Sequence, residues 1–484
     1  MHRREFLKKS TVAAVGLLAG RMSVLGNTER KGIRPNILFI MSDDHASHAI
    51  SAYGSRVNRT PHIDRIAREG MRFDNCFCTN SICAPSRAVI LTGQYSHLNG
   101  VINNSRRFDG SQQTLPKLLR QAGYHTALVG KWHLKTSPTG FDYSNVLPGQ
   151  GDYHDPVMIE NGLRKKRTGY VTDLITDIAI EWLKGRPSDK PFFMMLHHKA
   201  PHANWEPDEK HADMYEDVDI PEPLTFNDTY QGRTDQIKNH RLHVGPKQWE
   251  LHFKRFGPLP EGMSEQETKE WVYQVYMKNY LRCIASVDDN VGRVLDYLDE
   301  AGLRDNTIVI YTSDQGFFLG DHGLYDKRFM YEQSLRMPLL LRYPKKIMPG
   351  SASDEIVLNL DFAPTLLDYA GVAVPADVQG RSFRAIARGR TPRDWRETMY
   401  YRFYESAFGI GPQEGVRTRR YKLIHFLYGD QGWEFYDLQK DPDEMMNQYG
   451  HPECRELVET LKTELDVLKR RYGLLSEEGT VRSQ

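Results

Sequence analysis

The stretch Asn36-Ile37-Leu38-Phe39-Ile40-Met41-Ser42-Asp43-Asp44-His45 sets an apolar run of buried-strand length directly against four polar residues of the ligand-binding kind. The same arrangement appears three more times. A helix over residues 115–121 stops at Gly123, and 124–129 then reads as a strand running into Lys131-Trp132-His133. A helical stretch over 171–184 precedes an apolar run at 191–196, which leads into His197-His198-Lys199-Ala200-Pro201-His202. In the fourth case a helix carries Val287, Val291, Val294, Leu295 and Leu298 on one face and stops at Gly302; residues 307–311 then run into Ser313-Asp314-Gln315-Gly316.

Helices alternating with continuous apolar strands predict an α/β fold, with a large, mostly parallel sheet covered by helices on both faces. Ligands of such sheets bind beyond the carboxyl ends of the strands. Four strand ends therefore bring Asp43, Asp44, Lys131, His133, His202, Asp314 and Gln315 to one rim. After residues 367–371 the pattern changes to short strands and turns, at 397–404, 415–427 and 433–438, then a turn at Asp441-Pro442-Asp443-Glu444 and a helix over 456–472. This predicts a smaller C-terminal antiparallel sheet with a helix. The expected division is 1–27 as an export signal, 33–375 as the catalytic domain and 376–484 as the small domain.

The chemistry concentrates at Cys83-Ala84-Pro85-Ser86-Arg87-Ala88-Val89-Ile90-Leu91-Thr92-Gly93. Pro85 and Ser86 suit the first helical positions, so Cys83 is expected just before a helix N-terminus, an end that attracts anions. Arg87 reaches back with a planar fork suited to an oxyanion. Asp43, Asp44, Asp314 and Gln315 offer hard oxygen atoms, suited to calcium or magnesium rather than zinc. Three clustered carboxylates repel one another unless a cation sits among them.

Cys-x-Pro-Ser-Arg followed by Leu-Thr-Gly, matched without a gap from Cys83 to Gly93, resembles the signature of the formylglycine-dependent sulfatases of the alkaline phosphatase-like superfamily. The resemblance covers roughly residues 33–475. It implies that a maturation enzyme oxidises Cys83 to 3-oxoalanine (C-formylglycine), whose hydrate attacks sulfur with one hydroxyl and expels sulfate when the other loses its proton. It also implies one Ca2+ held by Asp43, Asp44, Asp314, Gln315 and the converted Cys83. Lys131 and Lys327 match lysines that hold the sulfate group and neighbouring oxygens, and Arg87 is expected to add its charge around the SO3 group. His133 and His202 match histidines at the diol and the leaving oxygen, with His202 as general acid and His133 as helper, or the reverse. The stretches 314–323 and 198–205 are similar to bacterial enzymes acting on sulfated sugars, including N-acetylglucosamine-6-O-sulfatases. Lys199, Trp205 and His322 are accordingly expected to touch the sulfated carbohydrate. The same signature occurs in phosphodiesterases and phosphonate monoester hydrolases, and an unconverted Cys83 would leave a calcium-dependent glycan-binding protein.

Composition sets the remaining bounds. The 484 residues exceed one usual domain, and 64 basic against 63 acidic side chains give no sign of a nucleic-acid partner. The five cysteines, Cys76, Cys78, Cys83, Cys283 and Cys454, match no zinc spacing. At the N-terminus, Arg3-Arg4 followed by Phe6-Leu7-Lys8 and a weakly apolar run at 11–20 resemble a twin-arginine export signal, and that run is too short for a stable membrane span. The expected destination is the periplasm or the exterior. Between 203 and 270 a polar insert with Trp205, Trp249, Arg233, Lys238, Arg241 and Lys247 interrupts the rhythm, in the manner of segments that shape a substrate entrance.

Overall fold

Five parallel strands, in the spatial order Thr307–Ser313, Asn36–Ser42, Phe192–His197, His125–Lys131 and Tyr143–Leu147, form the middle of a ten-stranded sheet. The computed structural model describes residues 34–475 apart from Arg56 and Asp430, and the export signal expected over 1–27 lies outside the described residues. The edges of the sheet are mixed. Leu339–Arg342 runs antiparallel to Thr307–Ser313 and continues into Met71–Phe73 and Ser351–Ser353, while Val157–Glu160 and Leu163–Lys166 add an antiparallel hairpin at the far side.

Strand alternation explains why the central strands read as continuous apolar runs. Ile37, Phe39 and Met41 pack in one core layer with the helices Cys83–Thr92, Leu115–Gln121 and Phe362–Ala370. Leu38 and Ile40 face the opposite layer, which holds Pro61–Arg68, Val171–Gly185 and the 36-residue helix Glu265–Glu300. Both faces are therefore buried. The long helix starts inside the supposed insert, where Ser264 and Glu267 form a capping box. Among the described residues no helix is long and apolar enough to cross a membrane.

Register decides where the polar strand ends meet. Ser42 lies opposite Ser313, Met41 opposite His197, and Gly130 opposite His197. Gly130 has φ +107°, and a Cβ there would stand 1.9 Å from the His197 carbonyl oxygen, so only glycine lets the two strands close at this level.

The strands Thr398–Phe403, Gln413–Thr418, Tyr421–Phe426 and Trp433–Asp437 form the C-terminal antiparallel sheet, with the helix Arg455–Arg471 against it. One expectation needs correction: 415–427 is a hairpin rather than one strand. The Thr418 hydroxyl accepts hydrogen bonds from the backbone N–H of Arg420 (3.1 Å) and Tyr421 (2.8 Å), which turns the chain locally. Buried charges tie this sheet to the segment that follows Thr307–Ser313. Glu332 meets Arg417 at 3.0 Å and Lys422 at 2.9 Å, and Lys422 also meets Glu444 at 2.7 Å.

Candidate active site

At the carboxyl edge, the residues that follow the paired strand ends turn toward one another. Asp43 and Asp44 follow Ser42, Asp314 follows Ser313, and Lys131 ends its own strand. Carboxylate oxygens of Asp43, Asp44 and Asp314 lie within 4.8 Å of one another, and so do ligand atoms of Asp43, Cys83 and His202. Cys83 is the first residue of the helix rather than the one before it, with Ile82 as the cap. Its thiol donates to Asp43 Oδ1 at 3.5 Å.

Arg87, one turn on, is 2% exposed and spreads its fork across the cluster. Nε and Nη2 meet Asp314 Oδ2 at 3.1 and 3.0 Å, Nη2 lies 3.3 Å from Asp43 Oδ2, and Nη1 donates to the Lys131 carbonyl at 2.9 Å. Lys131 ion-pairs with Asp43. Lys327 arrives by a different route. The chain after Asp314 folds back through the short hairpin Phe318–Leu319 and Tyr325–Asp326 and sets Lys327 Nζ 2.5 Å from Asp44 Oδ1. Asp44, Asp326 and Arg328 all hold left-handed backbone in this region (φ 63°, 74° and 91°), local strain of the kind found at functional sites.

The electrostatics follow from enclosure. Burial pushes the Cys83 thiol up to about 12 against the pull of Lys327, so at neutral pH it is a protonated, weakly nucleophilic group. Burial likewise raises Asp44 to about 7, with Lys327 opposing. Burial also works against ionising Asp314, yet Arg87, Lys131 and Lys327 hold its carboxyl below the usual range. The histidines go the other way: burial, then Lys131 and Arg87, lowers His133 to about 2, and burial with Lys131 and Lys327 puts His202 well below its usual value. His202 Nδ1 is 2.7 Å from the Ala203 carbonyl, which assigns the ring proton to Nδ1 and leaves Nε2 toward Asp44 Oδ2 at 3.7 Å.

The donor set suits a hard divalent cation. Gln315 Nε2 donates to Asp44 Oδ1, and Gln315 Oε1 is buried without a partner. Turning the amide over would only face an oxygen toward a carboxylate. A cation amid three carboxylates and this orphaned oxygen would remove both difficulties.

Three residues of the site were given no role from the sequence. His197 lies 3.5 Å from Arg87 Nη1 and 3.1 Å from the Lys131 carbonyl. Asn359 donates to Ser86 Oγ at 2.9 Å, and Asn104 accepts from the backbone N–H of Ala84 at 3.0 Å, holding the start of the Cys83 helix. His197 was findable as the last residue of its strand; a lone asparagine in a distant loop carries no such signal. Two expected substrate contacts are corrected. Trp205 is fully buried, with its ring 4.7 Å from Tyr276 and 5.5 Å from Phe253, and serves the core. His322 is also fully buried, with Nδ1 2.8 Å from Asp228 Oδ2, so it braces the loop that carries Lys327. Lys199 does line an open cleft of about 490 Å³ beside His202, together with Asp152, Asn204 and Glu206.

Known proteins share this architecture along nearly the whole chain. The sulfatase family profile matches residues 35–372, and that of the C-terminal region of N-sulphoglucosamine sulphohydrolase matches 320–471. An N-acetylglucosamine-6-O-sulfatase of Bacteroides thetaiotaomicron is 44% identical over 91% of this chain and 87% of its own length. An arylsulfatase of Clostridium perfringens is 27% identical over 89% of this chain and 93% of its own. A solved structure described as a complex with its substrate D-glucosamine-2-N,6-O-disulfate superposes with a TM-score of 0.87 at 43% identity, covering 91% of this chain and 98% of that one. With its carboxylates, its cations and Cys83 gathered at the carboxyl edge of this sheet, the chain belongs to the sulfatase family and is a sulfuric ester hydrolase.

Proposed function

We propose that this protein is exported and removes the 6-O-sulfate of N-acetylglucosamine or a closely related glucosamine in sulfated glycans, after a formylglycine-generating enzyme has converted Cys83. The observation that carries the reading is the convergence of Cys83 with Arg87, Lys131 and Lys327 on three carboxylates within one buried cluster. The choice of sugar follows the relative that is 44% identical. The protonated, buried thiol of Cys83 supports the need for conversion, because it is a poor nucleophile as it stands.

In this reading Asp43, Asp44, Asp314, Gln315 and residue 83 hold Ca2+, which would supply positive charge to polarise the sulfate ester. Converted to a hydrated aldehyde, residue 83 would supply one hydroxyl for attack on sulfur and a second whose ionisation releases the product sulfate. Arg87 fixes the two carboxylates Asp43 and Asp314 and directs its remaining charge into the anion site. Lys131 and Lys327 add charge where the SO3 oxygens lie, so that electron density moving toward the leaving oxygen meets fixed cations rather than water. His202 rests neutral among lysines. An incoming sulfate monoester offsets that positive field and favours protonation at Nε2, from which the proton passes to the departing sugar alkoxide. His133 supports the converted residue from the other side. Residues 376–484 complete the enzyme as its small lobe.

The test is sulfate release from N-acetylglucosamine carrying sulfate at O6, O4 or O3, using protein co-expressed with a maturation enzyme and checked for conversion of residue 83 by peptide mass spectrometry. The 6-O isomer is expected to turn over fastest, and Cys83→Ala to be inactive yet folded. Equal turnover of all three isomers, or full activity in Cys83→Ala, would overturn the reading. Cell fractionation with and without residues 1–27 tests export.

A further inference from the structure

Two clefts open beside the catalytic histidines, and they differ in charge. The one at His202 is lined by Asp152 and Glu206 as well as Lys199. The other, about 680 Å³, is reached at His133 and is walled by Trp132, Val146, Leu147 and Ile159; among the described residues no carboxylate lines it. Its charged side chains are Arg107 and Lys135, both exposed, and neither has an ion-pair or hydrogen-bond partner for its side chain among the described residues. Most cations near this site are neutralised by a neighbouring acid, as Lys131 and Lys327 are. These two are not.

The backbone makes them a pair and links them to the reacting centre. Phe108 N donates to the Leu134 carbonyl at 3.2 Å, so Arg107 and Lys135 flank a bridge between two loops. The first loop holds Asn104, which accepts from Ala84 N at the start of the Cys83 helix. The second begins with Trp132, whose Nε1 donates to the Thr136 carbonyl at 2.6 Å and keeps the indole as a wall. His133 Nδ1 is buried without a partner at the inner end. An acid-free channel with an apolar wall and two free cations suits a sugar ring bearing an anionic group, with the ring against the wall and the group on the fork and the ammonium.

We infer that this cleft is a second anion subsite, at which Arg107 and Lys135 bind a further sulfate or carboxylate of the carbohydrate while its ester reacts at residue 83. The inference rests on the carbohydrate sulfatase reading and deepens it, making doubly anionic glycans the favoured substrates. The carboxylates at the His202 cleft would instead repel such a group, which gives the substrate a direction across the site.

Binding to Cys83→Ala protein, which is expected not to turn substrate over, tests this by calorimetry at fixed salt. The probes are N-acetylglucosamine 6-O-sulfate, glucosamine 2-N,6-O-disulfate, and a uronic-acid-linked disaccharide of N-acetylglucosamine 6-O-sulfate. Adding Arg107→Ala with Lys135→Ala is expected to weaken at least one of the two doubly anionic probes about 10-fold while changing the singly sulfated one less than 2-fold. Loss with the disulfate identifies a sulfate on the same ring as the ligand; loss with the disaccharide identifies a neighbouring carboxylate. Equal weakening of all three probes, or no weakening of any, overturns the subsite. Arg107→Lys, which keeps the charge, is expected to retain most of the affinity and guards against misfolding of the double variant. The 6-O preference is measured separately by sulfate release, so a failure there leaves this result readable.

Discussion

Replacing Arg87 by lysine keeps the charge and removes the fork, which separates geometry from electrostatics at the centre of the site. The guanidinium donates two hydrogen bonds to oxygen, from Nε to Asp314 at 3.1 Å and from Nη1 to the Lys131 carbonyl at 2.9 Å, and its Nη2 lies in ion-pair contact with Asp314 at 3.0 Å and Asp43 at 3.3 Å. A single ammonium at the end of a shorter arm can satisfy one of these carboxylates but cannot also reach the carbonyl in the same plane. At least two charge-assisted contacts are lost, one hydrogen bond and one ion-pair contact, at about 1.5–3 kcal/mol each, for a total of about 3–6 kcal/mol. At 2% exposure, water does not replace them. The loss divides between folding stability and transition-state binding, and the share that falls on the transition state reaches at most about 10⁴-fold in kcat/KM. Matured wild-type and Arg87→Lys proteins are to be compared by hydrolysis of 4-nitrophenyl sulfate and by scanning calorimetry. We expect at least a 10²-fold drop in kcat/KM with a lower Tm. Kinetics within 3-fold of wild type at an unchanged Tm would refute the argument that the fork organises the carboxylates.

Chelation of divalent ions at pH 8 should lower the Tm, and Ca2+ at 100 times its Kd should restore about 2.7 kcal/mol; Asp314→Ala should respond to neither, and a wild type indifferent to chelation would count against a cation in this cluster. Burial opposes ionisation of Glu332, but Arg417, Lys422 and Arg336 hold it well below the usual range, so its stabilisation is present above the unfolded-state value near 4.3 and is lost as pH falls. Glu332→Gln should therefore melt earlier than wild type at pH 7, with the gap narrowing below about pH 4, as followed by thermal scans across pH. Trp205→Ala should cost about 3–5 kcal/mol of stability in denaturant titrations, because the ring is fully buried, while the KM for sulfated sugar at permissive temperature changes little; a large KM effect in a stable protein would return Trp205 to the substrate.

The parallel centre of the sheet was legible because both its faces are covered, so each strand is apolar at every position and ends abruptly in polar residues. The edge strands were not. Leu163–Lys166 is fully exposed and carries three basic residues, and Met71–Phe73 alternates buried and half-buried positions over only three residues, too few to read as a strand. At the site, Asp43, Asp44, Lys131 and Asp314 announced themselves by following strands. Trp205 and His322 stood near the same motifs in sequence, yet lie in the core, since proximity along the chain does not fix which way a side chain turns. Asn104 and Asn359 act through long-range hydrogen bonds that no local pattern encodes.

The pairing of Asn36–Ser42 with Thr307–Ser313 joins segments 271 positions apart, as at Asn36 and Thr307. Ribosomal synthesis therefore delivers Cys83 long before the strand that seals it in, and so non-local a pairing forms slowly. Once closed, Cys83 is 1% exposed. Any enzyme that acts on it has its opportunity on the nascent or unfolded chain, and a variant that folded faster would shorten that interval.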